Sequence, residues 1–333
     1  MQTLFQPVSL EEIRFAAQRI AGHVFRTPMA ESGILTGLCG VPVHLKLENQ
    51  QRTGAFKLRG ATNAVLSLSE DERKRGVIAA STGNHGRALA YAARAAGSRA
   101  TICMSSLVPE NKVTEVRRLG ADVKIIGRSQ DEAQAEVERL VAKDGLVMLP
   151  PFDNAAVIAG QGTIGLEIVE DLPDLATVLV PLSGGGLASG IAAAIRGLRP
   201  QARVIGVSMD RGAAMKASID AGHPVFVEEL PTLADSLGGG IGLENRLTFR
   251  MCRDLLDDIV LVSEREIADA IRHAYEQERE IIEGAGAVGI AALLAGKVKP
   301  MGPVVAVLSG RNIDMGLHRR VINSQPNTWE TTA

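Results

Sequence analysis

The stretch TVLVPLSGGGLASGIAAAI, residues 177–195, decides the fold class of this chain. An apolar run of strand length, residues 177–180, leads into three consecutive glycines and then into an alanine-rich helical stretch, residues 191–195. Glycines in such a turn let several backbone N–H groups point at one anion, and the helix N-terminus adds a partial positive charge. The segment therefore predicts either a phosphate-binding loop or a tight turn that packs a helix against a strand.

The alternation of strand and helix continues along most of the chain. Apolar runs predict strands at residues 43–47, 77–80, 100–104, 123–126, 147–149, 178–182, 204–207, 259–262 and 304–308. Helical patterns include residues 84–96, 129–143 and 263–280, and an amphipathic helix comes first in the chain. The spacings Ser9 to Glu12 and Ser263 to Glu266 predict capping boxes at two helix starts. Buried strands that alternate with amphipathic helices indicate an α/β fold with mostly parallel sheets flanked by helices.

Two domains fit within the 333 residues of the chain. The sharpest break is Leu149-Pro-Pro-Phe152, because consecutive prolines continue neither a helix nor a central strand. A polar, glycine-containing run at residues 49–54 marks a second break. We therefore predict a small domain of residues 52–150, inserted into a large domain that residues 1–51 and 151–333 form together.

Composition narrows the class of protein. Hydrophobic residues make up 46% of the chain and charged residues 22%, with a formal net charge of −2. This balance predicts no nucleic-acid partner and no membrane partner, and the N-terminus lacks a secretory signal pattern. Cys39, Cys103 and Cys252 are widely separated and odd in number, which predicts buried free thiols in a cytoplasmic protein rather than disulfides or a zinc site.

Lys57 lies in QRTGAFKLRG, residues 51–60, between a phenylalanine and a leucine. An apolar setting pushes a lysine toward its neutral form, and only the neutral amine attacks an aldehyde to form a Schiff base. Taken alone, a lysine in this position is more often an ordinary surface residue.

Two polar turns follow predicted strands. STGNHG, residues 81–86, begins a helix, and its N–H groups, hydroxyls and amide could bind a carboxylate, although a plain helix cap explains the same residues. No triad-like partner accompanies His85, which favours a positioning or structural role. SGRNID, residues 309–314, follows the last strand, and α/β sheets bind ligands at the carboxyl ends of their strands.

These segments together resemble the fold-type II enzymes that use pyridoxal 5'-phosphate (PLP), in the serine/threonine dehydratase family. The resemblance is carried by LKLENQQRTGAFK (45–57), STGNH (81–85), IAGQGTIGLE (158–167), SGGGL (183–187), EGAGA (283–287) and SGRN (309–312). It implies a tryptophan synthase β-like fold in a cytoplasmic homodimer or homotetramer. The implied activity is an ammonia-lyase reaction of a catabolic type, in which water is eliminated from a small hydroxyamino acid to give a 2-oxo acid and ammonium.

The resemblance also implies roles for individual residues. Lys57 is expected to form the Schiff base with PLP and, after the substrate displaces it, to remove the Cα proton. The expected cofactor contacts are backbone N–H groups of Gly184, Gly185, Gly186 and Leu187 on the phosphate, Asn84 on the ring 3-hydroxyl and Ser309 on the ring nitrogen. The expected substrate-binding turn consists of Ser81, Thr82, Gly83, Asn84 and His85. Glu283 is expected near the ring.

Three positions depart from the family pattern. Thr82 stands where threonine dehydratases commonly have alanine and serine racemases have a catalytic serine, so its hydroxyl is a candidate second acid or base. Arg311 replaces a glycine and is expected to bring a guanidinium near the ring, which favours an acidic or larger substrate. Ser208 replaces a metal-binding glutamate, so no metal site is predicted. These departures resemble the dehydratase of hydroxyectoine utilisation, which implies a hydroxylated diaminobutyrate derivative as the narrower substrate.

Three other functions compete with elimination. A β-replacement enzyme such as a cysteine synthase usually has Ser-x-Lys-Asp-Arg, whereas Leu58 and Arg59 follow the lysine here. A nicotinamide-dependent oxidoreductase needs an acidic residue at the end of the strand after the glycine turn, and Ser208 occupies that position. A binding protein without catalysis is disfavoured by the presence of Lys57, Asn84 and Ser309.

Overall fold

The computed structural model describes residues 8–81, 83–108 and 110–324. The strands are β1 (Met29–Glu31), β2 (Val43–Lys46), β3 (Val77–Ala80), β4 (Ala100–Met104), β5 (Asp122–Ile125), β6 (Val147–Met148), β7 (Thr177–Pro181), β8 (Arg203–Met209), β9 (Asp258–Val262) and β10 (Val304–Val307). The α-helices are α1 (Leu10–Ile20), α2 (Gly33–Cys39), α3 (Lys57–Ser67), α4 (Glu70–Arg75), α5 (Asn84–Ala95), α6 (Glu110–Arg118), α7 (Gln130–Asp144), α8 (Ala155–Asp171), α9 (Gly186–Leu198), α10 (Ala214–Ala221), α11 (Thr248–Leu255), α12 (Glu264–His273), α13 (Gly284–Leu294) and α14 (Met315–Ile322).

The larger sheet has six strands in the order β1-β2-β10-β7-β8-β9. Strand β1 is antiparallel to β2, and the other neighbours are parallel. Every residue of β7 and β10 is buried, as expected for central parallel strands that helices cover on both faces. Helix α13 lies on this sheet and consists only of small and aliphatic residues, nearly all of them buried.

The smaller sheet has four parallel strands in the order β5-β4-β3-β6. Its edge strand β5 alternates charged and apolar residues and stays half-exposed, which suits an edge position. All four strands fall within the segment 52–150 that the sequence predicts as the small domain. The exact domain boundaries stay a prediction.

Helix α8 packs against α3 on one side and α9 on the other. Glycines allow this close packing, because a Cβ added at Gly160 would lie 2.6 Å from Cα of Gly60, and one added at Gly162 would lie 2.9 Å from the carbonyl oxygen of Gly190. The glycines of the segment IAGQGTIGLE therefore have a packing role at the junction of three helices.

Most of the predicted elements are confirmed. Each of the nine predicted strands is present to within two residues at either end, and both capping boxes form. Strand β1, a three-residue antiparallel edge strand, is absent from the predicted strands. The predicted helix at 263–280 is only partly right, because α12 ends at His273 and a π-helical turn, Ala274–Glu278, follows it.

Two further properties of the chain bear on the sequence predictions. Cys103 and Cys252 are buried free thiols, but the prediction of burial is wrong for Cys39, which is half-buried. Within the part of the chain that the structure describes, no helix combines the length and the apolar character needed to cross a bilayer.

Candidate active site

A cavity of about 460 Å³ lies at the carboxyl ends of β3, β7 and β10, where residues of the smaller sheet face residues of the larger one. The smaller sheet contributes Ala80 and the turn after it, and the larger sheet contributes Pro181 and Ser309. The volume falls in the range of small-molecule and cofactor sites. Lys57, Ser81, Gly83, Asn84, His85, Gly184, Gly185, Gly186, Leu187 and Ser309 all line this one cavity.

Helix starts at the cavity are of two kinds. Capping boxes begin α1, α4 and α12, which lie elsewhere, and also α7, whose Ser129 and Gln130 line the cavity. Among the described residues, the N-cap residues of α3, α5, α9 and α13, which also begin at the cavity, make no side-chain capping hydrogen bond. The first turn of a helix has N–H groups without intrahelical partners and carries partial positive charge. Four such ends around one cavity favour anionic ligands such as phosphate and carboxylate.

The triple-glycine turn connects β7 to α9 and packs tightly against its surroundings. A Cβ added at Gly184 would lie 2.4 Å from the ring of Phe152, and one at Gly185 would lie 2.8 Å from Sγ of Cys252. Gly185 also has a φ of +88°, which L side chains rarely adopt. The tight-turn alternative is therefore confirmed, and the turn also presents the start of α9 to the cavity, while phosphate binding stays a prediction.

Lys57 is half-buried and begins α3. Its Nζ donates a hydrogen bond to the carbonyl oxygen of Pro151 over 2.7 Å. Burial lowers the pKa of Lys57 to about 8. At neutral pH this pKa gives a neutral fraction roughly 300-fold larger than a pKa of 10.5 does. The amine is therefore disposed to attack a carbonyl group or to accept a proton.

Asn84 begins α5 with its side chain buried. Its Nδ2 donates to Oε1 of Glu283 over 2.7 Å, and its Oδ1 accepts from Nδ2 of Asn312 over 2.6 Å. Burial, followed by the negative charge of Asp235, raises the pKa of Glu283 to about 7. A carboxyl group that changes charge near neutrality thus borders the cavity next to Asn84.

The turn before α5 holds its backbone through Ser81, whose Oγ accepts from the N–H of Gly86 over 3.0 Å. The Nε2 of His85 lies 2.8 Å from the carbonyl oxygen of Leu149, which only accepts, so Nε2 carries the proton and Nδ1 is an acceptor. Burial, and then the charge of Lys57, lowers the pKa of His85 to about 4, which makes it a weak base. Its ring cannot donate to a carboxylate from Nδ1. Thr82 lies outside the described residues.

Arg311 does not occupy the position that the sequence predicts. Its side chain is exposed, and Arg311 is not one of the described residues that line the cavity. The backbone explains the difference, because the N–H of Arg311 donates to the carbonyl oxygen of Gly54 over 2.8 Å while its neighbours Gly310 and Asn312 pack inward. The expectation of a guanidinium next to the ring is therefore wrong for this chain.

Comparison with known proteins identifies the family. The family model described as "Pyridoxal-phosphate dependent enzyme" matches residues 20–310. The chain belongs to the pyridoxal-phosphate dependent enzymes. It is 71% identical, over 95% of its length and 96% of the relative, to a protein of Sinorhizobium fredii that is provisionally named a threonine dehydratase. It is 46% identical to the L-threonine ammonia-lyase of Thermotoga maritima, over 95% of this chain and 78% of the relative.

Solved structures agree with this assignment. The structure of maize serine racemase aligns with a TM-score of 0.90 at 32% identity and covers 96% of this chain and 98% of its own. Within the PLP enzymes, this chain is a member of the serine/threonine dehydratase family, with the fold-type II architecture that the sequence predicts. The enzyme uses PLP as its cofactor.

The cavity of this PLP enzyme fits its cofactor in size, charge and reactivity. When bound, PLP supplies an aldehyde that condenses with amines and a conjugated ring that withdraws electrons from the α-carbon of an amino acid. Backbone N–H groups at the start of α9 would hold the phosphate, and those at the start of α5 would hold a substrate carboxylate. Lys57 would supply the amine, and its lowered pKa keeps part of that amine neutral.

Sequence reasoning missed several residues that shape the active site. Asp153 accepts hydrogen bonds from the N–H groups of Arg246, Leu247 and Thr248 and so fixes the segment that carries Pro151 and Phe152. On the sequence alone, the two prolines of this segment indicate only a domain break. The segment that carries Pro151 and Phe152 comes directly after the predicted strand 147–149. Because active-site segments follow strands in this fold class, that place in the sequence could have indicated it.

Proposed function

We propose that this enzyme eliminates water from a small hydroxyamino acid, with threonine or serine as the expected substrate, and releases a 2-oxo acid and ammonium. The observation that carries the proposal is the amine of Lys57, which lies in a cavity at which α3, α5, α9 and α13 begin and has a pKa of about 8. The threonine dehydratase and L-threonine ammonia-lyase names of the two relatives support this choice of substrate.

The proposal assigns a role to each site residue. Lys57 binds the cofactor covalently and, once freed, accepts the proton from the substrate Cα at its Nζ. Backbone N–H groups of the cofactor-binding loop hold the phosphate, Asn84 donates to the ring oxygen, and Ser309 pairs with the ring nitrogen. The cofactor-binding loop consists of Gly184, Gly185, Gly186 and Leu187. The substrate carboxylate is bound by the turn Ser81, Thr82, Gly83, Asn84 and His85, with Thr82 as the candidate second acid or base.

For His85 the proposal concerns its backbone. Its Nδ1 is an acceptor, so the N–H groups at the start of α5 are the donors available to a carboxylate. Pro151 supports Lys57 by accepting a hydrogen bond from Nζ, which keeps the amine at the cavity wall.

The test is a substrate panel. The purified holoenzyme is incubated with threonine, serine, 3-hydroxyaspartate and hydroxylated diaminobutyrate derivatives, and release of 2-oxo acid and ammonium is measured. Equal amounts of both products from at least one substrate, and none with Lys57→Ala, support the proposal. Cysteine formation from O-acetylserine and sulfide, reduction of a nicotinamide, or bound PLP without any oxo acid would each replace it with one of the competing functions.

A hydroxylated diaminobutyrate derivative is a second candidate substrate because the carboxylates of Glu229 and Asp235 line the same cavity. Next to them, the cavity wall at Gly239 has no side chain, and a Cβ added there would meet nothing within 4 Å. An additional cationic amine on the substrate would be attracted to these carboxylates. Asp235→Asn and Glu229→Gln then lower kcat/KM for the cationic substrate and leave that for threonine unchanged. An equal effect on both substrates contradicts this candidate.

The proposal includes the setting of the enzyme: a cytoplasmic protein that assembles as a homodimer or homotetramer. The exposed apolar side chains of Ile34, Leu38 and Met315, on α2 and α14, support self-association. Light scattering after size-exclusion chromatography measures the mass of the particle. A monomeric mass at micromolar concentration would contradict this part.

A further inference from the structure

A chain of hydrogen bonds runs from a cation to a carboxyl group through two side-chain amides. Nη1 of Arg87 donates to Oδ1 of Asn312 over 2.8 Å. Nδ2 of Asn312 donates to Oδ1 of Asn84 over 2.6 Å, and Nδ2 of Asn84 donates to Oε1 of Glu283 over 2.7 Å. We call these four residues the amide relay. Neither Arg87 nor Asn312 has a role in the proposed function.

The direction of the amide relay is fixed by groups whose polarity is unambiguous. A guanidinium only donates hydrogen bonds, so the atom of Asn312 that faces Arg87 must be its oxygen. A backbone carbonyl only accepts, and Nδ2 of Asn312 also donates to the carbonyl oxygen of Thr53 over 3.0 Å. Both ends of the Asn312 amide are therefore determined, and the orientation of the Asn84 amide follows from that of Asn312.

The backbone around Asn312 leaves room for this arrangement. A Cβ added at Gly54 would lie 2.6 Å from Oδ1 of Asn312, and Gly54 has a φ of +77°. A Cβ added at Gly310 would lie 2.4 Å from Oε1 of Glu283. Glycines thus stand next to both the amide of Asn312 and the carboxyl group of Glu283. These contacts show that the relay is closely packed at two of its members.

The consequence concerns the group that Asn84 offers to the cavity. Its oxygen is already bonded to Asn312, and one of its two N–H groups is bonded to Glu283. The second N–H of this side chain is a donor that no described residue engages. We propose that Arg87 and Asn312 are positioning residues that hold Asn84 with an N–H, rather than its oxygen, toward the PLP ring oxygen. This inference rests on the proposed contact between Asn84 and that oxygen.

Arg87 has no competing ion pair within 4 Å among the described residues. Its positive charge acts on the carboxyl groups of Glu283 and Glu115, and both effects lower the pKa of the carboxyl group concerned. The direct contact of its guanidinium is with Asn312. Arg87 is half-buried. Loss of its donor is therefore expected to weaken the hold on Asn312, because hydrogen bonds to charged groups are stronger than neutral ones.

The experiment uses the holoenzyme and three substitutions. Arg87→Met removes the donor, Arg87→Lys keeps a donor-only cation, and Asn312→Asp keeps the acceptor for Arg87 but removes the donor to Asn84. The measurements are the PLP content after dialysis to equilibrium and the visible absorption spectrum of the bound cofactor. We expect Arg87→Met and Asn312→Asp to lower PLP affinity about tenfold and to shift the visible band. Arg87→Lys is expected to have nearly the PLP affinity and the visible band of the wild type.

Arg94 is exposed and lies about two helical turns after Arg87 on α5. Arg94→Met is therefore the matched control and is expected to leave PLP affinity and spectrum unchanged. Wild-type affinity and spectrum in both Arg87→Met and Asn312→Asp would overturn the proposal. Because Asn312→Asp is isosteric, it decides the matter if Arg87→Met does not fold.

Asn84→Ala in the same experiment separates this inference from the proposed function. If Asn84→Ala changes neither PLP affinity nor spectrum, the proposed contact of Asn84 is wrong and the inference fails with it. If Asn84→Ala changes both while Arg87→Met and Asn312→Asp change neither, the contact stands and only the positioning role is wrong.

Discussion

The guanidinium of Arg59 donates two hydrogen bonds to the carboxylate of Glu48, over 2.7 and 2.9 Å, and both side chains are fully buried. The same guanidinium binds Glu167 on α8, and Glu167 in turn pairs with Lys46 on β2 over 2.6 Å. Two cations and two anions therefore balance within the core. This network fixes the first turn of α3, and hence the backbone of Lys57, to the larger sheet.

Glu48→Gln is expected to destabilise the protein by about 3–5 kcal/mol, because it leaves the buried guanidinium of Arg59 with one charged partner fewer. Urea unfolding followed by circular dichroism measures the change in the free energy of unfolding. Activity is expected to fall as well, since the anchor of α3 is weakened.

The matched control is Glu170→Gln, which removes one partner of the exposed ion pair between Arg26 and Glu170. Exposed pairs contribute only about 0–1 kcal/mol. Equal destabilisation by the two substitutions would show that the buried network does not carry the stability assigned to it.

Gly184→Ala is expected to weaken PLP retention, because the new Cβ would overlap the ring of Phe152 at 2.4 Å and displace the turn that begins α9. Overpacking of this kind costs about 1–3 kcal/mol. The measurements are the melting temperature and the PLP content after dialysis. If the cause is steric, Gly184→Ala combined with Phe152→Leu recovers part of both losses.

Gly37→Ala on α2 is the control, because a Cβ at Gly37 meets nothing within 4 Å. Alanine favours a helix over glycine by about 1 kcal/mol, so this variant is expected to be as stable as the wild type or more stable. A similar loss of PLP at both positions would exclude the steric explanation.

The sheets and the place of the site were accessible from the sequence. Parallel strands that are buried on both faces read as continuous apolar runs, so β7 and β10 stand out without any partner information. Because the segments containing Lys57, Asn84 and Ser309 follow strands or glycine breaks, the rule that ligands bind at strand ends brings them together. The cavity lining agrees with that grouping.

Side-chain partners were not accessible, because they depend on contacts between residues far apart in the chain. Lys57 and Pro151 are 94 positions apart, and Arg87 and Asn312 are 225 apart. Local periodicity carries no information on such pairs. The error at Arg311 has the same origin, since the position of a residue in a turn does not determine which way its side chain points. Edge strand β1 was missed because three residues are too few to show a period.

The rate at which the PLP-free protein forms its covalent linkage with added PLP is expected to rise with pH and to level off above about pH 8. Burial lowers the pKa of Lys57 from 10.5 to about 8, and only the neutral amine attacks the aldehyde. Below the pKa the neutral fraction grows tenfold for each pH unit. Stopped-flow absorption in the visible region measures the rate.

Lys57→Ala is the control for this measurement and is expected to show no covalent phase. A wild-type rate that keeps rising up to about pH 10 would mean that Lys57 titrates like an exposed lysine, against the effect of its buried setting.

Glu283→Gln is expected to gain stability relative to the wild type as the pH rises. Burial and the charge of Asp235 raise the pKa of Glu283 from 4.5 to about 7 in the folded state. Between these values the folded protein keeps a proton that the unfolded chain has lost, so wild-type stability falls with rising pH by up to about 3 kcal/mol and the loss is complete above pH 7. Glutamine does not titrate, and the variant escapes this loss.

Urea unfolding of both PLP-free proteins from pH 4.5 to 8 measures the difference in the free energy of unfolding. In an Asp235→Asn background the pH-dependent part is expected to shrink, because one cause of the raised pKa is gone. A difference that stays constant over the whole pH range would mean that folding does not raise the pKa of Glu283.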